Sequence, residues 1–202
     1  MHIKSIGVYC GARLGKLATY VEAAEDLAKV LVENNISLVY GGANVGIMGY
    51  LADSMLAKGG RVVGVIPQGL VDKEIAHHGI QELHVVESMH QRKAMMAELS
   101  DGFIALPGGV GTLEEFFEIW TWAQLGIHAK PFGLLNVANY FDKLIDFCRH
   151  MVAHGFLQER FLKMIQVSIH PQDVINAFMY YQAPVARWSE QDDTFGERQI
   201  KI

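Results

Sequence analysis

Cysteine is scarce in this chain. Cys10 and Cys148 are the two in 202 residues and lie far apart, which excludes a disulfide framework and a cysteine metal knuckle and makes reduced, cytoplasmic thiols the expectation. Charge is sparse as well, at 19% Asp, Glu, Lys and Arg, and it leans acidic: 17 basic residues against 22 acidic ones leave a net charge of −5. That balance argues against nucleic acid or an anionic membrane as the main partner. A small anionic ligand stays open, because it needs only a local positive field. No apolar run approaches the roughly 18 residues of a membrane span. The run over residues 3–10, ended by Gly11, is too short for a signal-peptide core and has no small-residue cleavage site, so it reads as a first strand of a soluble, cytoplasmic protein. Fixed-period repeats and low-complexity tracts are also lacking.

What the chain does have is apolar residues, half of the total, and a mean hydropathy of +0.16. That is enough for one well-filled domain, with a surplus to bury in a two-sided sheet, a subunit interface or both. Strand-like segments at residues 3–10, 37–40, 61–66, 83–86, 102–106, 132–137 and 165–169 alternate with helix-period segments. The helices are expected at residues 18–33, from the turn after residue 44 to about 58, and at 89–99, 112–125, 140–153 and 171–181. Val62-Val63-Gly64-Val65-Ile66 and Phe103-Ile104-Ala105-Leu106 are continuous rather than alternating apolar runs, the mark of strands covered on both faces. The fold class is therefore α/β: an open, mostly parallel sheet with helices on both faces, joined by right-handed crossovers. Residues 1–182 form this domain. Residues 183–202, with Arg187, Glu190, Asp192, Asp193, Glu197, Arg198 and Lys201 and no apolar periodicity, form a charged tail, mobile or lying on a partner subunit.

In an open α/β sheet, ligands bind beyond the carboxyl ends of the strands, where the strand order reverses. Three strand-to-helix turns there are rich in glycine: Cys10-Gly11-Ala12-Arg13-Leu14-Gly15, Gly41-Gly42-Ala43-Asn44-Val45-Gly46 and Pro107-Gly108-Gly109-Val110-Gly111-Thr112. Glycine lets the backbone approach a ligand, and the N–H groups of such turns can point at a phosphate. None is a Walker A loop and none keeps the spacing of a standard dinucleotide fingerprint. One glycine turn is ordinary in this fold; three on one sheet edge point to a ligand cleft.

Two further features flank the third turn. Thr112 followed by Glu115 fits a capping box, while an acid at a helix start is favoured in its ionised form; spacing supports cap and catalyst equally. Arg92 and Lys93, in Met89-His90-Gln91-Arg92-Lys93, place two cations near a helix start, against the dipole. Such a pair is more often tolerated surface charge, but its helix leads into the strand that delivers Pro107 to Glu115. Other candidates carry less. His150 and His154 share a helix face without a third ligand, so no metal is expected. His77-His78 reads as loop, Trp120 and Trp122 as core or dimer face, and Cys10 as packing rather than a nucleophile.

Pro107-Gly108-Gly109-Val110-Gly111-Thr112-Leu113-Glu114-Glu115, preceded by Met89-His90-Gln91-Arg92-Lys93, resembles the LOG ("lonely guy") family of cytokinin-activating nucleoside-monophosphate phosphoribohydrolases, long mislabelled as lysine decarboxylases. The likeness spans roughly residues 3–180 and includes Gly41-Gly42, Gly46-Ile47-Met48-Gly49 and Val65-Ile66-Pro67. It implies a modified Rossmann fold, usually a homodimer, that hydrolyses the N-glycosidic bond of purine nucleotides such as AMP without a cofactor. Carried over by position, Arg92 and Glu115 are the catalytic pair. Gly108, Gly109, Gly111 and Thr112 hold the phosphate, Lys93 supports the anionic site, and Met89, Val110, Gly11, Ala12 and Gly42 complete the substrate contacts. Ala12 replaces a serine frequent in the family and Ala43 a glycine, departures that bear on substrate preference. The pair is expected to face a common cavity floored by main-chain amides. Two other readings compete: a nucleotide or molybdenum-cofactor carrier, and a pyridoxal-phosphate decarboxylase built on Lys93.

Overall fold

Every residue of β3 (Val62–Pro67) is buried, as are all of β5 (Gly102–Ala105) and β6 (Phe132–Leu135). These are the continuous apolar runs, and burial on both faces follows from their place inside the sheet. The structure, a computed structural model, describes residues 2–73, 75–187 and 189. Within it β1 (Ser5–Tyr9), β2 (Ser37–Tyr40), β3, β4 (Glu82–Val86), β5, β6 and β7 (Ile165–Ser168) form one sheet in the order β4-β3-β2-β1-β5-β6-β7. All of its pairings are parallel. The chain winds outward from β1 to β4, returns to lay β5 beside β1, then winds outward the other way. The strand order thus reverses between β1 and β5, where Tyr9 stands opposite Ala105.

Alternation along each strand separates two apolar layers. Ile6, Val8, Leu38, Tyr40, Val62 and Ile104 pack with Leu27, Leu51 and Phe178, so α1 (Ala18–Glu33), α2 (Gly46–Ala57) and α8 (Pro171–Met179) cover one face. Tyr9, Val39, Val63, Val65, Phe103 and Leu134 pack with Met96, Phe116, Trp120, Cys148 and Phe161. The other face therefore carries α4 (Met89–Leu99), α5 (Val110–Gln124), α6 (Asp142–Ala153) and the short α7 (Glu159–Leu162).

Most expected elements lie within two residues of their places, and four differences matter. Helix α5 begins at Val110, with Gly109 as an N-cap that has no side-chain bond. Thr112 is then inside the helix, and of the two roles that the spacing left open for Glu115 the capping box is not made. Strand β6 stops at Leu135, and a 3₁₀ turn over Val137–Asn139 delays the next helix to Asp142. The short helices α3 (Gln68–Val71) and α7 were not expected, since four residues carry no readable period. Finally, the start of the expected tail is tied down: Arg187 N–H donates to the Gln124 carbonyl at the end of α5, 2.7 Å away. Residues 190–202, which carry the remaining charges of that tail, lie outside the described residues.

Candidate active site

Ser88 caps α4 by accepting from the Gln91 N–H at 3.2 Å, and the first turn of that helix carries Arg92 over the carboxyl ends of β2 and β3. The Arg92 side chain is held on three sides. Its Nε donates to the Val65 carbonyl at 3.1 Å, its Nη1 donates to Glu115 Oε1 at 3.1 Å, and the Met89 sulfur lies 3.9 Å from Nη1. On the remaining side it lies against Gly41, where a Cβ would overlap Nη2. Arg92 is 8% exposed and Glu115 9%, so the two charges of the expected pair face each other in a nearly dry setting. Burial holds the Glu115 carboxyl above its ordinary value of 4.5; the Arg92 guanidinium opposes the rise and Glu114 adds to it. This corrects the expectation that a helix start keeps this acid low, because Glu115 sits in the second turn of α5, beyond the strongest part of the dipole.

Lys93, 7% exposed, does not join an anion site. Its Nζ bonds Glu114 at 2.5 Å and Glu118 at 3.0 Å, which ties α4 to α5 and fixes the partner helix of the Arg92–Glu115 pair. Burial pulls the ammonium down, but the bonds to Glu114 and Glu118 outweigh it and leave Lys93 above its ordinary value.

The third glycine turn has every carbonyl from 107 to 109 taken. Pro107 C=O accepts from the Gly11 N–H at 3.2 Å and Gly109 C=O from the Leu113 N–H at 3.2 Å, while Gly108 C=O accepts from the Tyr140 hydroxyl at 2.5 Å. A side chain at Gly108 would run into Thr112 and the Gly11 backbone, whereas the Cβ positions of Gly109 and Gly111 face open space. Val110 is 85% exposed. The first helical N–H groups of α5 have no partner within the helix, so the turn offers donors and no free acceptor, the requirement for an anion cradle.

Beside this turn lies a cavity of about 380 Å³ lined by Gly11, Ala12, Arg13, Tyr20, Gly108 and Tyr140, among others. It opens on the α1/α2 side of the sheet edge, whereas Arg92 and Glu115 stand on the α4/α5 side. The expectation of one shared hollow is thereby refined: the pair and the cavity flank the glycine turn. Gly11, Ala12, Gly108 and Gly109 line the cavity. Gly42 does not; it is buried with φ +71° and packs on Ile66 and Leu83, and its carbonyl accepts from the His77 N–H at 2.9 Å. Its neighbour Gly41 does the work at the site by making room for the guanidinium. Gly41, the Val65 carbonyl and Tyr140 were given no role at the site by the sequence reading. Gly41 sat within a quoted motif, but nothing in the sequence signalled that Arg92, far along the chain, fills its side-chain space.

The weaker candidates resolve. His77 is in a loop, as read, yet buried, with Nδ1 accepting from the Gly79 N–H and Nε2 bonding Asp53 at 3.0 Å. The His150 and His154 rings lie 4.1 Å apart at the C-terminal end of α6, which His154 caps, and no cluster of three or more metal-type ligands occurs among the described residues. Phe116 and Trp120 are core, with the Trp120 indole N–H on the Phe161 carbonyl at 3.0 Å. Burial pushes the Cys10 thiol up, the negative Glu115 adding to it, which suits packing and not nucleophilic attack. No helix among the described residues is long and apolar enough to cross a membrane.

A profile of the family described as "Possible lysine decarboxylase" matches residues 48–178. A cytokinin riboside 5'-monophosphate phosphoribohydrolase of Rhodococcoides fascians is 53% identical over 155 residues, covering 76% of this chain and 78% of that protein. The cytokinin riboside 5'-monophosphate phosphoribohydrolase LOG of Oryza sativa subsp. japonica is 49% identical over 156 residues, 77% of this chain and 64% of that protein. Among solved structures, the molybdenum cofactor binding protein of Rippkaea orientalis superposes with a TM-score of 0.67 over 89% of this chain and 98% of that one, at 20% identity, a likeness of fold.

Proposed function

The chain belongs to the LOG family of phosphoribohydrolases, and on that premise we propose that it hydrolyses the N-glycosidic bond of purine nucleoside 5'-monophosphates, AMP or cytokinin riboside monophosphates, to free base and ribose 5-phosphate. The observation that carries this reading is the buried Arg92–Glu115 pair, 3.1 Å apart, beside a glycine turn whose carbonyls are all occupied. In the reaction the bond from C1' to the base nitrogen breaks with its electron pair on the base. Water adds its oxygen to C1', and in net terms its proton goes to the base. Positive charge develops on the sugar as in glycoside hydrolysis. The Glu115 carboxylate offsets that charge and takes the proton of the attacking water, a task that a carboxyl raised by burial performs better than an ordinary one. Arg92 stays charged throughout, so it orients Glu115 and stabilises the leaving base without protonating it. The amides of Gly109, Val110 and Gly111 hold the phosphate; Thr112 packs beneath the turn.

The decarboxylase reading requires a neutral lysine to form a Schiff base. Lys93 is bound by two carboxylates and held above its ordinary value, the opposite of what that chemistry needs. The fold shared with molybdenum-cofactor proteins is compatible with a carrier, but the buried acid–base pair favours turnover.

The same reading extends to a cytoplasmic homodimer, with residues 1–182 as the hydrolase domain and 183–202 as an appended tail. Free Cys10 and Cys148 fit a reducing compartment. Exposed Val110 and Met89 leave apolar surface around the site for a second copy to cover. The deciding experiment is a panel of purine and pyrimidine mononucleotides assayed for released base, with light scattering for mass. Release of adenine from AMP is expected; retention of a nucleotide with no turnover across the panel would reverse the assignment to a carrier.

A further inference from the structure

The turn after β6 is shaped to deliver one side chain. Ala138 and Asn139 both adopt left-handed backbone angles, φ +50° and +58°, which residues with a Cβ rarely take. Buried Asn136 secures the turn: its Oδ1 accepts from the Phe141 N–H and its Nδ2 donates to Asp142, both at 2.7 Å. The residue presented is Tyr140. Its ring packs edge-on against Phe141 and Tyr20, with centroids 5.0 and 5.8 Å away, and its hydroxyl reaches 32 residues back to the Gly108 carbonyl.

That bond has a consequence for the glycine turn. In a trans peptide, C=O and the next N–H point in opposite directions, and the described chain has no cis bond. Holding Gly108 C=O toward Tyr140 therefore turns the Gly109 N–H to the opposite side. Glycine has little conformational preference of its own, so the 108–109 peptide would otherwise be free to flip. A flipped peptide would present an oxygen to an anion, a repulsive contact in place of a donor. The carbonyls of 107 and 109 are already held by backbone N–H groups, which leaves 108 dependent on a side chain.

We propose that Tyr140 is a positioning residue for the phosphate group of the substrate: its hydroxyl fixes the Gly108–Gly109 peptide with the amide, not the carbonyl, toward the phosphate. The inference rests on the nucleotide reading above, and it deepens that reading by assigning an orienting role outside the glycine motif. It acts on phosphate affinity and not on the bond-breaking pair.

The test is Tyr140→Phe, which keeps the ring packing and removes one hydrogen bond at a half-exposed position. Inorganic phosphate binding is measured by calorimetry and AMP hydrolysis by base release, with Tyr50→Phe, whose hydroxyl bonds Glu25 on the surface, as a matched control. Loss of one neutral hydrogen bond predicts a 3- to 10-fold weakening, roughly, of phosphate binding and a matching rise in KM, with kcat within about 2-fold and the control unchanged. Unaltered phosphate affinity in a folded Tyr140→Phe protein, or a fall in kcat at constant KM, overturns the role. If wild type releases no base from any nucleotide while Tyr140→Phe still weakens phosphate binding, the positioning role stands and the hydrolase reading falls.

Discussion

Gly41 and Arg92 share one space: the guanidinium occupies the position a Cβ on Gly41 would take, and from there it reaches the Val65 carbonyl and the Glu115 carboxylate, each at 3.1 Å. The second glycine turn thus shapes the site by what it omits, and the charged pair depends on a residue with no side chain of its own.

Gly41→Ala is expected to leave the fold standing, because the obstructing group is the end of a flexible side chain, and to displace Arg92 by about an ångström. Misplacement on that scale costs on the order of 100-fold in rate. Base release should fall accordingly, with the melting temperature changed by only a few degrees. An active Gly41→Ala enzyme would show that the position of the guanidinium does not matter.

Glu115→Gln keeps the size and one acceptor oxygen but removes the charge. Loss of a positioned general base costs about 100- to 10,000-fold, so release from AMP should drop by at least the lower figure while circular dichroism stays native. Arg92→Ala should lose activity and stability together. It leaves Glu115 buried without its partner, a change of about 3–5 kcal/mol that is read by urea denaturation.

The pH dependence follows from the raised Glu115 carboxyl. Activity needs the ionised form, so the acid limb of kcat/KM should have its midpoint above 4.5. Removing the negative charge of Glu114, which adds to the rise, should move that limb down in Glu114→Gln. For stability the direction is reversed from that of a salt-bridged surface acid. The native state holds this proton more tightly than the unfolded chain, so the contribution is present below the unfolded value and is lost as pH rises through the folded one. A limb at or below 4.5 would show that Glu115 is not the titrating group.

Trp120, 2% exposed and bonded to the Phe161 carbonyl at 3.0 Å, anchors α5 to the sheet and to α7. Trp120→Ala should cost about 3–5 kcal/mol, a drop of roughly 6–20 °C at 2–4 °C per kcal/mol for a domain of this size. Calorimetry checks it.

The elements were legible where a period or a run announced them. Helix α1 and strand β2 lie at the expected residues because their apolar spacing is unambiguous. The start of α5 was misread because Thr112 and Glu115 satisfy a local capping rule that tertiary contacts override: Glu115 turns to Arg92 and the helix begins two residues earlier, at Val110. Lys93 was read as support for an anion, yet two acids on the neighbouring helix claim it. Neither outcome is encoded within a window of a few residues.

By itself, the order of amino acids determined the layered α/β architecture and the glycine turns on one sheet edge, since these follow from hydrophobic period and short motifs; Arg92 and Glu115 were singled out by the resemblance of their motifs to a family. Only the tertiary structure decided that Gly41 yields its space to Arg92, that Lys93 is spent on Glu114 and Glu118, and that Tyr140 reaches Gly108. Each of these joins segments brought together by the parallel winding of the sheet, and sequence spacing carries no information about which side chains meet across crossovers.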